Sequence, residues 1–283
     1  MRTPFLLLLL LALFFCAADA GQWRVGTDAN PPYTCTRSHV CYKLLNATEP
    51  ACRALNAKRI LFCGDSYVRH AYEGLALLLS GDYETGVIKN DPACAGEAQF
   101  EEKDCRHKVP MHFDICGVRI ELRYDAWCEV NANDHMYDWI VWGFGNHPVH
   151  GDYATRHGVY DVQAVVSEKL DRLCADSIPA FAEKIIVLNN HCRLDNAHMQ
   201  KDCPDSTNER VQYFNDEIEL YMRHRCNITH FIDTFAMTSE LIRIEPAPGK
   251  LTHDGVHWGR IVNVVKAWML VHMMMAGGQR RVS

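Results

Sequence analysis

Two short segments near opposite ends of the chain carry side chains that could act together in acyl transfer. A serine hydroxyl is a weak nucleophile until a base takes its proton, and that base needs a carboxylate to orient it. Gly64-Asp65-Ser66 supplies a hydroxyl, and Thr252-His253-Asp254-Gly255-Val256-His257-Trp258 supplies an imidazole and a carboxylate. An Asp three residues before a His, in a loop entering a helix, can place both side chains toward one site. Each segment also has a plainer reading. Asp65 or Ser66 could simply cap a helix, and Asp254 could be an N-cap with His257 on the surface. His253 and His257, four apart, have a metal-ligand spacing, but no Glu follows in the helical zincin pattern and the segment reads as loop. No metal and no cofactor is therefore expected.

The surrounding pattern says what must hold these groups. Arg59-Ile60-Leu61-Phe62-Cys63 reads as a strand ending at Gly64, which permits a tight turn. Val68, Ala71, Tyr72, Leu75, Leu78 and Leu79 then recur at helical spacing. Ser66 thus stands between strand and helix. Its hydroxyl would project at the carboxyl edge of a sheet, beside the unbonded N–H groups of a helix start, which can donate to a developing oxyanion.

Further strands are expected around Thr85–Ile88, at Val118–Tyr124, Trp139–Phe144 and Lys184–Leu188, and near His230–Asp233. Helices are expected around Val162–Leu173 and Val211–Met222, and from about Arg260 to Met275. Lys266 and His272 interrupt the last one, which marks it as a core helix, not a membrane span. Residues 90–117 hold three cysteines among charges and no clear period, and read as a disulfide-tied insertion. Apolar strands alternating with amphipathic helices imply a parallel sheet covered on both faces, with reacting groups in the loops beyond the strands' carboxyl ends.

The chain has 283 residues, 48% hydrophobic and 23% charged, which is a globular balance. Arg2, the apolar run Phe5–Phe15 and Ala18-Asp19-Ala20 form a secretory signal, with cleavage expected before Gly21. Residues 21–57 then read as a cysteine-containing strap, and 58–283 as one domain. Cys16 leaves with the signal, so twelve of the 13 cysteines remain. With no Cys-x-x-Cys and no zinc-like spacing, disulfides are the better reading. Cys35/Cys41 and Cys192/Cys203 are the most local pairs. Cys63 lies inside the first strand, where a free buried thiol is the alternative to a bridge. Sequons at Asn46 and Asn227 fit a secreted or lumenal compartment. A formal charge of -6 without basic clusters argues against nucleic acid or an anionic membrane as partner. No phosphate loop and no Gly-x-Ser-x-Gly elbow occurs.

The order Gly64-Asp65-Ser66 near the start and Asp254-x-x-His257 near the end resembles the SGNH (GDSL-like) hydrolase superfamily. The longer words Gly64-Asp65-Ser66-Tyr67-Val68-Arg69 and Asp254-Gly255-Val256-His257-Trp258 resemble its PC-esterase branch. That branch includes plant trichome-birefringence-like polysaccharide O-acetyltransferases, the catalytic domain of sialic-acid O-acetyltransferase and the neurexophilin/PC-esterase proteins. The resemblance spans about residues 58–276. It implies a three-layer α/β/α sandwich with a parallel, flavodoxin-like sheet. It also implies Ser66 as nucleophile, His257 as base and Asp254 as its orienter. Asn146 occupies the place of the superfamily's oxyanion amide, although the usual Gly-x-Asn-Asp reads here Phe144-Gly145-Asn146-His147; a turn residue before Pro148 is the alternative. Gly86 and Gly96 are weak candidates for the backbone oxyanion donor. Arg69 either lends charge near the oxyanion or forms a structural salt bridge.

The expected activity is that of a serine esterase or O-acyltransferase on O-acetyl or other acyl esters of glycans. Hydrolase and transferase share every step except the final acceptor. The competing expectations are a non-catalytic glycan- or partner-binding protein and a lipid-directed esterase.

Overall fold

The computed structural model describes residues 47–125, 128–144, 170–171, 174, 182–194, 207–244 and 251–279. The signal segment, Cys35, Cys41, Asn46, Asn146, Cys203 and most of the helix expected before Cys174 lie outside these residues.

Six strands form one sheet in the order β2-β3-β1-β4-β5-β6. They are β1 (Arg59–Gly64), β2 (His112–Ile115), β3 (Val118–Tyr124), β4 (Trp139–Gly143), β5 (Ile185–Leu188) and β6 (His230–Ile232). β3, β1, β4, β5 and β6 run parallel, while β2 pairs antiparallel with β3. The sheet is therefore mostly parallel, as expected, with a short antiparallel hairpin closing one edge. Without β2, the order reverses between β1 and β4, and in sheets of this kind ligands collect at that switch point. Gly64 ends β1 there, paired with Tyr124 on one side and Gly143 on the other.

The helices are α1 (Thr48–Leu55), α2 (Ser66–Ser80), α3 (Asn208–Arg225), α4 (Thr234–Ile244) and α5 (Arg260–Gln279). Side chains alternate across each strand and so feed two cores. Ile60, Phe62, Val141 and Ile186 face one layer with Ala51, Leu75, Leu78 and Leu270, from α1, α2 and α5. Leu61, Ile140, Trp142 and Val187 face the other with Val211, Phe214 and Ile218 of α3. This is the three-layer α/β/α sandwich. No helix among the described residues is long and apolar enough to cross a membrane.

Two glycines mark where backbones meet. A Cβ on Gly64 would lie 2.5 Å from Val68 Cγ2 and 2.6 Å from the Gly143 carbonyl. A Cβ on Gly74 would lie 2.3 Å from the Asn263 carbonyl, so α2 and α5 cross in direct contact there.

Several expectations fail for identifiable reasons. Residues 48–55, read as irregular strap, form α1, which buries Ala51 and Leu55 and is tied by Cys52–Cys116. Thr85–Ile88 is not a strand. The Asp82 carboxylate takes the Thr85 N–H and Gln99 Oε1 takes the Val87 N–H, removing donors that a ladder would need. Cys63 is bonded to Cys128, so it is not a free thiol. Cys94–Cys105 closes the insertion, and Cys174–Cys226 staples the α3 side. Cys192 is buried, while its expected partner Cys203 lies outside the described residues. α4 follows β6 directly, without a sequence signal that singled it out.

Candidate active site

Asp65 is the N-cap of α2: its carboxylate accepts from the Tyr67 N–H at 3.0 Å. The cap and the packed turn at Gly64 fix Ser66 as the first helical residue. A helix start leaves its first N–H groups without intrahelical acceptors. Asp65 takes that of Tyr67, which leaves the Ser66 N–H beside the Ser66 hydroxyl. Ser66 is only 5% exposed.

The second segment folds back on itself before α5. Thr252 and Trp258 form an antiparallel bridge, and the Gly259 N–H reaches the Leu251 carbonyl at 2.8 Å. Trp258 is sealed in the core, with its indole N–H on the Cys192 carbonyl. Leu194, beyond β5, donates its N–H to the Gly255 carbonyl. The loop therefore projects His257 over the carboxyl edge of the sheet.

Ser66 Oγ lies 3.1 Å from His257 Nε2, and His257 Nδ1 lies 2.6 Å from Asp254 Oδ2. The two sequence readings of Asp254, as cap and as orienter, divide between its two oxygens. Oδ1 accepts from the Val256 and His257 N–H groups at 2.8 and 2.7 Å, while Oδ2 faces the imidazole. It caps the loop and not a helix, since α5 starts at Arg260. Burial opposes the charge of Asp254. The hydrogen bond and charge of His257, together with the two backbone donors, outweigh it and hold the carboxyl at about 2.

Arg69 forms the salt bridge that the sequence left open beside an oxyanion role. Its guanidinium is buried, with Nη1 2.9 Å from Glu73 Oε1 and Nη2 on Glu102 Oε1. His70 Nε2 sits 3.2 Å from the same Glu102 oxygen. Burial opposes ionisation of Glu102, but the His70 hydrogen bond and the charges of Arg69, His70 and His257 hold it well below the usual carboxylate range. Glu73 behaves oppositely: burial lifts it to about 8 despite Arg69. The Gly96 N–H is committed to the Thr85 carbonyl, so of the two weak glycine candidates this one is spent.

Aromatic and basic groups wall the imidazole. Tyr67 and His70 meet His257 edge-on, at ring-centroid distances of 5.8 and 5.5 Å. Tyr67 also stacks on His191, whose Nε2 lies 3.0 Å from Lys266 Nζ. Burial lowers Lys266 to about 7 against the pull of Asp65 and Glu73, and lowers His70 and His191 well below the ordinary imidazole value.

Sequence reasoning missed Glu102, His70, Glu73 and His191. Glu102 comes from an aperiodic insertion, and His191 from a loop. His70 and Glu73 fall on the face of α2 opposite its apolar stripe, which reads as solvent-facing. Arg69, read as a salt-bridge candidate, and Lys266, which interrupts the last helix, are the visible signals of this buried polar group.

No protein-family model matches the chain, and no curated protein matches it significantly. Solved structures similar to it include two catalytic mutants of Axe2, an acetylxylan esterase from Geobacillus stearothermophilus, one His-to-Ala and one Ser-to-Ala. Both share 16% identity with it over 77% of this chain and 94% of theirs, with TM-scores of 0.39 and 0.33. A likeness at that level leaves the site to be argued from its own geometry.

Proposed function

We propose that the chain is a serine esterase or O-acyltransferase that acts on acyl esters of carbohydrates, chiefly O-acetyl groups, through an acyl-Ser66 intermediate. The observation that carries the proposal is the unbroken series of contacts from Ser66 Oγ to His257 Nε2 and from His257 Nδ1 to Asp254 Oδ2. A capped helix needs neither contact. His257 takes the proton of Ser66 as the hydroxyl oxygen attacks the acyl carbon, and Asp254 steadies the imidazolium. The Ser66 N–H and the Asn146 amide receive the oxyanion. Collapse expels the sugar hydroxyl, protonated by His257. Water or a second hydroxyl then takes the acyl group from Ser66.

The carbohydrate preference rests on the PC-esterase-like words around Ser66 and His257. Secretion rests on the apolar leader at 1–20, and the four disulfides among the described residues favour the same oxidising route. Asn46 and Asn227 are the glycan acceptors in that reading, and Asn227 is exposed.

The test is labelling of the mature protein with a fluorophosphonate. Wild type should be modified and Ser66→Ala should not; an unlabelled wild type, or equal labelling of both, would sink the proposal.

A further inference from the structure

Glu102 stands on the same side of His257 as Ser66, yet acylation has no use for it. We infer that its carboxylate positions the acceptor during deacylation, an inference that rests on the acyl-Ser66 reading.

Three observations carry it. First, Glu102 Oε1 lies 3.9 Å from His257 Nε2, the atom that must take the acceptor's proton. That gap is too long for a direct hydrogen bond. An oxygen about 2.8 Å from each would bridge it. Second, among the described residues the cluster meets solvent at Glu102 and His257, both 18% exposed. The side chains of Glu73 and Arg69 are 0% and 1% exposed. Third, every contact of Glu102 among the described residues, with Arg69, His70 and His257, runs through Oε1. Oε2 makes no hydrogen bond among the described residues, so the carboxylate can take a second hydroxyl of the acceptor while Oε1 faces the bridging oxygen. The carboxylate is also fixed in place, by Arg69 and His70 and by the Cys94–Cys105 bridge that closes its segment. Such preorganisation turns a solvent collision into an oriented attack.

The step balances as follows. A water donates one O–H to His257 Nε2 and the other to Glu102. Its oxygen lone pair forms the bond to the acyl carbon while the first proton moves to Nε2 and the carbonyl π pair becomes the oxyanion. As the carbonyl re-forms, the carbon–Oγ bond breaks and His257 returns the proton to Ser66. A sugar acceptor gives its reacting hydroxyl's proton to His257 and donates a vicinal hydroxyl to Glu102. The same carboxylate therefore favours acceptors bearing two neighbouring O–H groups.

The experiment uses the full mature protein and p-nitrophenyl acetate, following nitrophenol release by rapid mixing and acetyl-Ser66 by intact mass. Glu102→Gln is expected to acylate at close to the wild-type rate and to deacylate roughly 10- to 100-fold more slowly, as for loss of a hydrogen bond to a charged group. Acetyl-Ser66 then accumulates. Added formate is expected to speed deacylation of Glu102→Ala, standing in for the missing carboxylate. Should Glu102→Gln not fold, Glu102→Asp keeps a partner for Arg69 and should show the same accumulation. Wild-type deacylation in these variants overturns the inference. So does an equal fall of both steps without accumulation, because Glu102 would then merely support Arg69. A wild type that releases nitrophenol no faster than Ser66→Ala shows that the acyl-serine reading itself has failed, and that result precedes any other variant.

Discussion

Ser66 and His257 are mounted in contrasting ways. Ser66 sits at the junction of two buried elements, with Gly64 wedged between Val68 and Gly143 and α2 enclosed from Ser66 to Leu79. His257 hangs on a short loop pinned in the core at Trp258 and otherwise shaped by polar contacts: both Asp254 oxygens, the Thr252 hydroxyl on the Gly255 N–H, and a pair of backbone bonds. The Asp254 side chain is 39% exposed. Position on the first arm is thus secured by packing, which resists small substitutions poorly. On the second it is secured by replaceable hydrogen bonds. Damage to the serine arm should show in stability and activity together, and damage to the base arm in activity alone.

The largest expected effect breaks the base arm. His257→Ala should lower turnover by roughly a million-fold and abolish fluorophosphonate labelling, with a melting temperature close to that of wild type. A large loss of thermal stability would mean that the imidazole, and not only Trp258, is built into the core. Next comes Asp254→Asn. Asn can still accept the two backbone N–H groups, so the loop should persist, while the lost charge and altered tautomer cost about 10,000-fold in rate. Active Asp254→Asn protein would reduce Asp254 to a loop cap.

On the serine arm, Gly64→Ala forces a methyl against a backbone carbonyl, and overpacking of that kind costs about 1–3 kcal/mol. A melting temperature roughly 3–10 °C lower, with reduced turnover, should be found by calorimetry and assay. Unchanged melting would contradict the packing account.

The smallest effect comes from the buried polar group under both arms. As pH falls through 6.5, the ordinary value of histidine, the unfolded chain protonates at His70 and His191, which burial keeps neutral in the folded chain. Glu73, lifted from 4.5 to about 8, holds one extra proton when folded across the same window. Two protons favour unfolding and one opposes it, so stability falls as pH drops from 6.5 toward 4.5. Replacing His191 with Gln cancels the imbalance and should flatten that slope in thermal melts. A slope unaltered by the substitution would place the acid sensitivity elsewhere.

Strands β1, β3, β4, β5 and β6 and the placement of Ser66, Asp254 and His257 in turns beside helices were legible because local pattern determines them. Ile60–Cys63 is apolar on both faces of the sheet, and a Ser opening a helix after a strand has few other placements. The polar face of α2 is hard to read for the converse reason. Arg69, His70 and Glu73 look solvent-facing by period, and only the insertion folding over them, with Glu102 attached, makes them a buried cluster. Likewise the Cys63–Cys128 bridge joins residues 65 apart in sequence, a relation that spacing does not encode. The hairpin strand β2 and α1 are short elements that take their stability from the sheet and from α2, not from their own periodicity.

The contact of Gly74 with Asn263 makes the crossing of α2 and α5 a caliper. One jaw is Ser66, eight residues and about 12 Å back along α2; the other is His257, just before α5 begins. With backbone against backbone at the pivot, there is no side chain to absorb an adjustment, so the opening of the jaws is set about two turns of α2 away from Ser66. A mutation at Gly74 or Asn263 would therefore be expected to change reactivity as a remote substitution, altering the spacing of hydroxyl and imidazole without touching either. Attempts to stabilise this protein by filling helix glycines would meet that constraint first at Gly74.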